Sequence, residues 1–515
     1  MDILKYKGSK DTLVAFMANV SSRVVSVVLT LALVPIYLHV LGLEIYGVLG
    51  FYASLQAALM IFDFGLGGAV FRELAKSGKR SPLPSDLASL VRSVEVVYWG
   101  IGLGLGIVIF FLARWFAESW LNSSLSADFL EQATKLMAVS LLAQWPLGFY
   151  VSAFRGRHQQ VSANLLSTSA LAARGIGGAA VLTWGSGTLS SLLYIHIFAN
   201  AAFTLVGAMW FWQSNSKERT LVAMNFRSLA IIKTTARQLF LASILTITLS
   251  QMDRLLLSYL IPLRDFGTYS LSLTIASVIL LVPAPVSDTM APGLISAFAK
   301  NPADLWNAFR RVCNVSSVIA MPVAIAIMVV PDWILMAWVR TSEIGPTAAT
   351  TLRLMAMAYL MQNLSNQADL LQIVSNWLVP TLGCRAVAIA VLGPLMWVLV
   401  HKFGIEGAAF TWVIVGFFYL SANPSWTFSR LATSAKSMDW YLHGALVPLL
   451  LAVPTSVALA LLLEPEDLQW ESRLSLLARC AAVYAAALVG TLVSVAEFRL
   501  TFLRAVREIV GRTSS

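Results

Sequence analysis

Arg23, Arg92, Arg174, Arg254 and Arg385 each stand inside an apolar run long enough to cross a bilayer. So do the carboxylates Asp63, Glu95, Asp253 and Asp369, with Asp288 at the end of another such run. A charge at mid-bilayer costs about 2.5–3.5 kcal/mol on insertion scales, so each of these groups needs a partner or a water-filled hollow. The cations in this set are all arginine. A guanidinium stays protonated and grips phosphate or carboxylate through parallel N–H donors, which an ammonium does not.

Helical spacing gathers several of these charges into polar stripes. Asn19, Arg23, Ser26 and Thr30 follow i, i+4, i+7, i+11 and share one face. Asn164, Ser167 and Arg174 cluster on one side of a second helix. Gln251, Arg254 and Ser258 form a stripe beside Thr246, Ser250 and Asp253, and Gln362, Asn366 and Asp369 line up on a fourth. Asn, Gln and Ser beside Arg suit an anionic, hydroxyl-rich ligand, whereas an organic cation would call for the opposite sign. The expected substrate-binding set is therefore Arg23, Arg174, Arg254, Arg92, Arg385, Asn19, Asn164, Gln251 and Asn366. Asp63, Glu95, Asp253 and Asp369 are the candidates for proton or ion coupling, because carboxylates held away from water can exchange a proton near neutral pH. Simpler roles compete. Arg92 and Glu95 sit at i, i+3 and can pair, Arg92 and Arg385 lie near span ends and can snorkel, and Asp288 can end its span or cap its neighbour.

The elements that position these groups follow from composition. The chain has 515 residues, 58% apolar and 12% charged, with a mean hydropathy of +0.75. Soluble domains run at about 45–50% apolar and about 25% charged, so a soluble globular protein is excluded. Disorder is excluded by the same balance. A spanning helix needs about 20 apolar residues, and about fourteen such runs are present: 14–37, 46–68, 90–113, 133–154, 161–184, 189–212, 240–262, 267–290, 312–334, 351–373, 379–400, 405–427, 442–463 and 475–496. The longest connection, 213–239, leaves no room for an extramembrane domain.

The net charge is +10, from 36 basic and 26 acidic residues. It reads as Lys/Arg-rich cytoplasmic loops rather than nucleic-acid binding. With the N-terminus inside, basic residues favour the cytoplasmic loops by roughly three to one, and an even number of spans returns the C-terminus to that side. Residues 217–237 are basic with interleaved apolar positions and are expected to form a helix on the inner leaflet. The first apolar run lacks the short core and cleavage site of a signal peptide and is expected to remain as a span. Cys313, Cys384 and Cys480 lack metal-ligand spacing. No metal or other cofactor is expected, and no GxxxxGK[ST] motif points to direct ATP use.

A faint repeat underlies the span order. Tyr46-Gly47 aligns with Phe266-Gly267 at an offset of 220, and Ala75-Lys76 with Ala299-Lys300 at 224. The first match follows an odd-numbered span in each half and the second an even-numbered one, as parallel repeats about an axis along the membrane normal would. The expected organisation is a six-helix lobe over 1–215, a second over 216–430 that begins with an amphipathic linker at 216–239, and two further spans with a cytoplasmic tail over 431–515. The fold class is thus an all-α polytopic membrane protein of about fourteen transmembrane helices, with two six-helix lobes in pseudo-two-fold arrangement plus two C-terminal helices.

Residues 33–76 carry Leu41-Gly42 and Tyr46-Gly47 at the opening of span 2, and Asp63-Phe64-Gly65-Leu66 and Arg72-Glu73-Leu74-Ala75 at its close; Asp253-Arg254 stands late in span 7. This stretch resembles the polysaccharide-export flippases, the Wzx-type translocators of the multidrug/oligosaccharidyl-lipid/polysaccharide superfamily. The resemblance implies a cytoplasmic-membrane protein with two lobes around a cationic cavity. Such a protein flips undecaprenyl-diphosphate-linked oligosaccharide, such as an O-antigen repeat unit, from the inner to the outer leaflet by alternating access. It further implies work alongside a polysaccharide polymerase and a chain-length regulator. Many members have about twelve spans. Lipid II flippases have about fourteen, the extra pair forming a groove for the lipid tail, which makes the peptidoglycan precursor the nearest rival cargo. A multidrug exporter of the same superfamily is a further alternative. A polysaccharide polymerase or ligase would need catalytic groups on sizeable outer loops. The largest here, 114–132 and 464–474, carry few, and His39, His196 and His401 are scattered, so a transporter rather than an enzyme is expected. A diphosphate carries roughly two negative charges, so an inside-negative potential would favour its export by about 4–5 kcal/mol per 100 mV.

Overall fold

The computed structural model describes residues 10–78, 82–215, 224–287, 290, 294, 298, 302–339, 345–431, 434–465, 468 and 471–495. Asp288 and the repeat match at Lys300 lie outside the described residues. The helices are α1 Lys10–Leu59, α2 Leu66–Lys76, α3 Ser85–Trp115, α4 Ala127–Gly156, α5 Gln160–Trp184, α6 Leu189–Asn215, α7 Leu229–Leu260, α8 Leu263–Leu281, α9 Pro302–Val329, α10 Pro331–Trp338, α11 Pro346–Val374, α12 Val379–Leu431, α13 Ser434–Asp439, α14 Val447–Leu462 and α15 Arg473–Ser494.

Among the described residues, 11 helical stretches are long and apolar enough to cross a membrane. Two of them, Met17–Asp63 and Val379–Leu431, are helix pairs divided by a glycine with non-helical backbone: Gly42 (φ 79°, ψ 169°) in α1 and Gly404 (φ 57°, ψ −137°) in α12. A positive φ at these turns is one that side chains with a Cβ rarely adopt. Dividing these two pairs gives thirteen stretches. α11 has the length for a fourteenth, but its 29 residues include Gln362, Asn363, Asn366, Gln367, Asp369 and Gln372 and it is not among the 11 apolar stretches. The described residues thus form an all-helical, multi-pass membrane protein.

The helices form two compact units, Met1–Gly267 and Thr268–Ser515. In the first, Val91 and Val94 of α3, Phe149, Tyr150 and Phe154 of α4, and Phe211 of α6 make the buried core. The motif at the end of span 2 breaks the helix there. Phe64 and Gly65 take left-handed φ values of 50° and 71°. The Gly67 N–H then donates to Asp63 Oδ1 at 3.2 Å, capping α2. A Cβ on Gly65 would collide with the Ala236 carbonyl of α7, so the break also lets α7 dock.

The basic stretch expected to lie on the membrane as a separate helix is, from Leu229 onward, the first turns of α7. Ile232 and Ala236, at i and i+4, bury into the core shared with α3 and α4, while Lys233 and Arg237 remain exposed. Burial of that apolar pair makes this segment continuous with its span. It also places α7 in the first compact unit, so the contact boundary falls at Gly267 while the sequence repeat divides at 215/216.

The repeat-related positions Leu43/Gly47 and Leu263/Gly267 meet reciprocally. A Cβ on Gly47 would collide with the Leu263 carbonyl, and one on Gly267 with the Leu43 carbonyl. The loop after α3 packs beside this crossing. Glu44 accepts hydrogen bonds from the Ser123 hydroxyl at 2.7 Å and from the Ser124 N–H and hydroxyl at 2.7 and 2.6 Å, and the Leu263 N–H donates to the Asn122 carbonyl at 2.7 Å.

In the second unit, Trp306 and Phe309 of α9 meet Phe428 of α12, which in turn contacts Trp440. The last two spans are part of this unit. Gly490 of α15 seats directly on the Ala452 backbone of α14, and Leu476 and Val483 of α15 pack with Val330, Trp333 and Ala337. A groove of about 530 Å³ runs between α9, α10 and α14, walled by Ile325, Met328, Trp333, Val453, Val457 and Leu461, with Asp332, Arg353 and Glu464 also lining it.

Candidate functional site

The polar stripes of α1 and α5 meet. Asn164 Nδ2 donates to Asn19 Oδ1 at 2.5 Å, and the Ser22 and Thr168 hydroxyls share a hydrogen bond at 2.5 Å. Along α1, Ser26 and Thr30 satisfy their hydroxyls on the preceding turn, at Ser22 and Ser26 carbonyls. Arg23, beside this seam, is exposed. Arg155, at the end of α4, lies close enough to Arg23 for the two charges to repel. Nothing local in the sequence links Arg155, in the last turn of α4, to α1.

Arg174, further along α5, is partly buried and stands within electrostatic range of Tyr37, Tyr52 and His196. No carboxylate bridges it among the described residues. Around it the groups are neutral donors and acceptors. The Tyr37 hydroxyl donates to the Gly175 carbonyl at 3.1 Å and the Tyr52 hydroxyl to Ser140 Oγ at 2.7 Å. Gln56 Nε2 donates to Gln144 Oε1 at 2.8 Å, and Asn200 Nδ2 to Ser140 Oγ at 3.0 Å. The Tyr52 and His196 rings lie 6.2 Å apart. A fixed cation among amides, phenols and hydroxyls can take a phosphate or carboxylate and hydrogen-bond a polyol. Tyr37, Tyr52, Gln56, Gln144 and His196 were not singled out as ligands from sequence, because single polar residues on four different helices leave no motif.

Arg92 and Glu95 form the simpler arrangement. Arg92 Nη1 sits 2.7 Å from Glu95 Oε2, with the Glu95 side chain 4% exposed. The Tyr150 hydroxyl donates to Oε1 at 2.5 Å, and the Trp212 indole donates to both oxygens at 3.1 and 3.2 Å. The carboxylate ties α3 to α4 and α6. Replacing it by glutamine removes charge-assisted bonds worth about 1.5–3 kcal/mol each where water is excluded. Glu95→Gln should therefore lower the thermal unfolding midpoint of the purified protein by several degrees; an unchanged midpoint would show that the carboxylate is idle.

The other sequence candidates are spread across both units. Asp63 caps α2. In α7, Asp253 is buried, Arg254 is partly exposed with its Nε facing no acceptor among the described residues, and Gln251 Nε2 reaches Ser250 Oγ at 3.3 Å. In the second unit Asn366 is exposed, while Asp369 is held. The Thr381 hydroxyl donates to Asp369 Oδ1 at 2.5 Å and Asn423 Nδ2 at 2.8 Å, and Arg385 Nη2 lies 3.9 Å from Oδ2. Asn423 also donates to Ser365 Oγ at 3.2 Å. Gln372 Nε2 donates to Asn423 Oδ1 and to the Thr427 hydroxyl at 2.8 and 2.7 Å, closing the cluster.

Comparison with solved structures places the fold. The chain is similar to the lipid II flippase MurJ in an inward closed conformation, at 13% identity over 92% of this chain and 98% of that one, with a TM-score of 0.64. It is similar to a multidrug resistance MATE family transporter of the MOP superfamily, inward-facing, at 12% identity over 83% and 98% with a TM-score of 0.62. An outward-facing transporter of that description matches at 15% identity over 84% and 98%, with a TM-score of 0.54. No curated protein matches by sequence. A family model described as "Polysaccharide biosynthesis protein" matches residues 10–298. That stretch is more than half of the chain and holds the helix-breaking motif at Asp63, the α1–α5 seam and Arg174 with its neutral neighbours, and on it the protein belongs to the polysaccharide biosynthesis protein family.

Proposed function

We propose that the protein flips an undecaprenyl-diphosphate-linked oligosaccharide, an O-antigen or other surface-polysaccharide repeat unit, from the inner to the outer leaflet of the bacterial cytoplasmic membrane by alternating access. Its N- and C-termini face the cytoplasm. The observation that carries this reading is Arg174: a guanidinium in a membrane helix, bridged by no described carboxylate and ringed by neutral hydrogen-bonding groups. Without an anion such a charge is costly; with a diphosphate it is matched. Arg23 and Arg155 form a second concentration of positive charge in the same unit, and Arg254 and Arg385 extend the set. The product passes to a polysaccharide polymerase and its chain-length regulator.

The prenyl tail need not leave an apolar phase. The groove between α9, α10 and α14 offers it aliphatic walls. Ala460 of α14 also lines that groove, and filling it with Ala460→Trp should slow flipping of the long-chain substrate in vesicles and leave binding of a water-soluble diphospho-sugar unchanged. Equal slowing of both would remove the groove from the tail's path.

The similarity to a lipid II flippase extends over 92% of the chain and favours lipid II as the second reading. Vesicles reconstituted with the purified protein decide between the two. Each lipid-linked glycan is supplied on one leaflet, and its arrival on the other is read by an impermeant lectin or enzyme. Flipping of the oligosaccharide lipid but not lipid II supports the first reading, the converse supports the second, and flipping of neither overturns both.

A further inference from the structure

Ser140 and Gln144 of α4 bond Asn200 of α6 in the first unit, and Ser365 and Asp369 of α11 bond Asn423 of α12 in the second. The pairs are related by an offset of 225 on one helix and 223 on the other, with Thr204 and Thr427 following the two asparagines at the same spacing. In each cluster the asparagine amide donates to the serine hydroxyl, at 3.0 and 3.2 Å, and to the acceptor one turn on, at 3.4 and 2.8 Å. Each acceptor oxygen takes a second donor, Gln56 Nε2 for Gln144 and the Thr381 hydroxyl for Asp369. The two clusters are therefore the same device, and the first shows that a neutral amide oxygen suffices to build it. The second carries what the first lacks: a further carboxylate oxygen, and Arg385 3.9 Å from it. The first cluster has a cation nearby as well, Arg174, within electrostatic range of the Tyr52 that bonds Ser140, but no described carboxylate bridges it. The charge on Asp369 thus exceeds what the packing requires, and Arg385, with its side chain 26% exposed, is reachable by a ligand.

We propose that Asp369 is a removable counter-ion for Arg385, competing with the diphosphate of the cargo for that guanidinium. The proposal rests on the anionic-cargo reading above. When a phosphate oxygen reaches Arg385, the Asp369–Arg385 contact breaks, the Arg385–phosphate contact forms, and Asp369 takes one proton from water as its carboxylate becomes a carboxylic acid. The Thr381 and Asn423 bonds to Oδ1 can persist, as the same kind of bonds do on Gln144. Cys384 and Tyr419 are the other titratable groups facing this pair. Anion binding and proton uptake are then linked, so each strengthens the other.

The test is binding of prenyl-diphospho-N-acetylglucosamine to the full-length protein in detergent, by calorimetry between pH 5 and 9. Each phosphate of this probe is substituted at both ends, so it has no titration of its own in that range. Wild type should bind more tightly as pH falls, by at most about tenfold per pH unit, with one proton taken up per ligand. Asp369→Asn should bind at every pH as tightly as wild type does at the acid end. Asp369→Glu should keep the slope, and Arg385→Ala should lose both slope and the affinity gain. A flat wild-type profile, or a slope surviving in Asp369→Asn, overturns the counter-ion and leaves the anionic cargo standing. Absence of binding at every pH overturns both.

Discussion

Arg174→Ala abolishes flipping of the diphosphate-linked glycan in reconstituted vesicles while the protein inserts and purifies at wild-type levels. The result is expected because Arg174 contributes a charge without a described counter-carboxylate, and its removal therefore strands no partner. Loss of a buried arginine from an ion pair leaves an uncompensated carboxylate and costs about 3–5 kcal/mol of stability; nothing of that kind is left behind here. What is lost is the anion's binding. A charge-assisted bond contributes about 1.5–3 kcal/mol, and two parallel ones to a diphosphate amount to about a hundredfold to ten-thousandfold in affinity, at about 1.4 kcal/mol per factor of ten. Arg174→Lys restores charge but not the planar fork, so it should recover only part of the rate. Arg23→Ala should act in the same direction and also relieve the repulsion with Arg155. Full transport in both alanine variants would remove the cationic-site reading.

Much of this site was legible from spacing, and the limits of that legibility are physical. The α1 stripe Asn19–Arg23–Ser26–Thr30 is a property of one helix, and periodicity alone finds it. That Asn19 meets Asn164, and Ser22 meets Thr168, is a property of two helices, and the sequence holds only the two separate stripes. Arg92 and Glu95 at i, i+3 were readable as a pair. Their ties to Tyr150 and Trp212, which link α3 to α4 and α6, bridge 55 and 117 residues. The spans follow from composition, since the bilayer imposes a length on each. α7 escaped that rule at its start, where two buried residues outweigh a basic surface. The faint repeat became chemically specific only when Ser140–Asn200 and Ser365–Asn423 were seen to make the same bonds.

Gly47→Ala destabilises the protein by about 1–3 kcal/mol, the usual cost of forcing an added methyl into a packed contact, and Gly267→Ala does the same. At both positions the new Cβ meets a backbone carbonyl, Leu263 for Gly47 and Leu43 for Gly267, so no side-chain rotation relieves the clash and a helix end must move. The reciprocity supplies a sharper expectation. Both substitutions push apart the same pair of helix ends. Once one has moved them, the other costs little more, and the double variant should be less destabilised than the sum of the singles, with a coupling of about 0.5–3 kcal/mol, as for residues sharing a contact. Thermal unfolding of the two single variants and the double variant, followed by a fluorescent thiol probe on buried Cys313 and Cys384, measures this directly. Strict additivity would mean that the glycines act at independent places. Gly42→Ala is the control with a different cause: nothing lies within 4 Å of its missing Cβ, but its φ of 79° is one an alanine rarely adopts. It should cost stability through the turn alone.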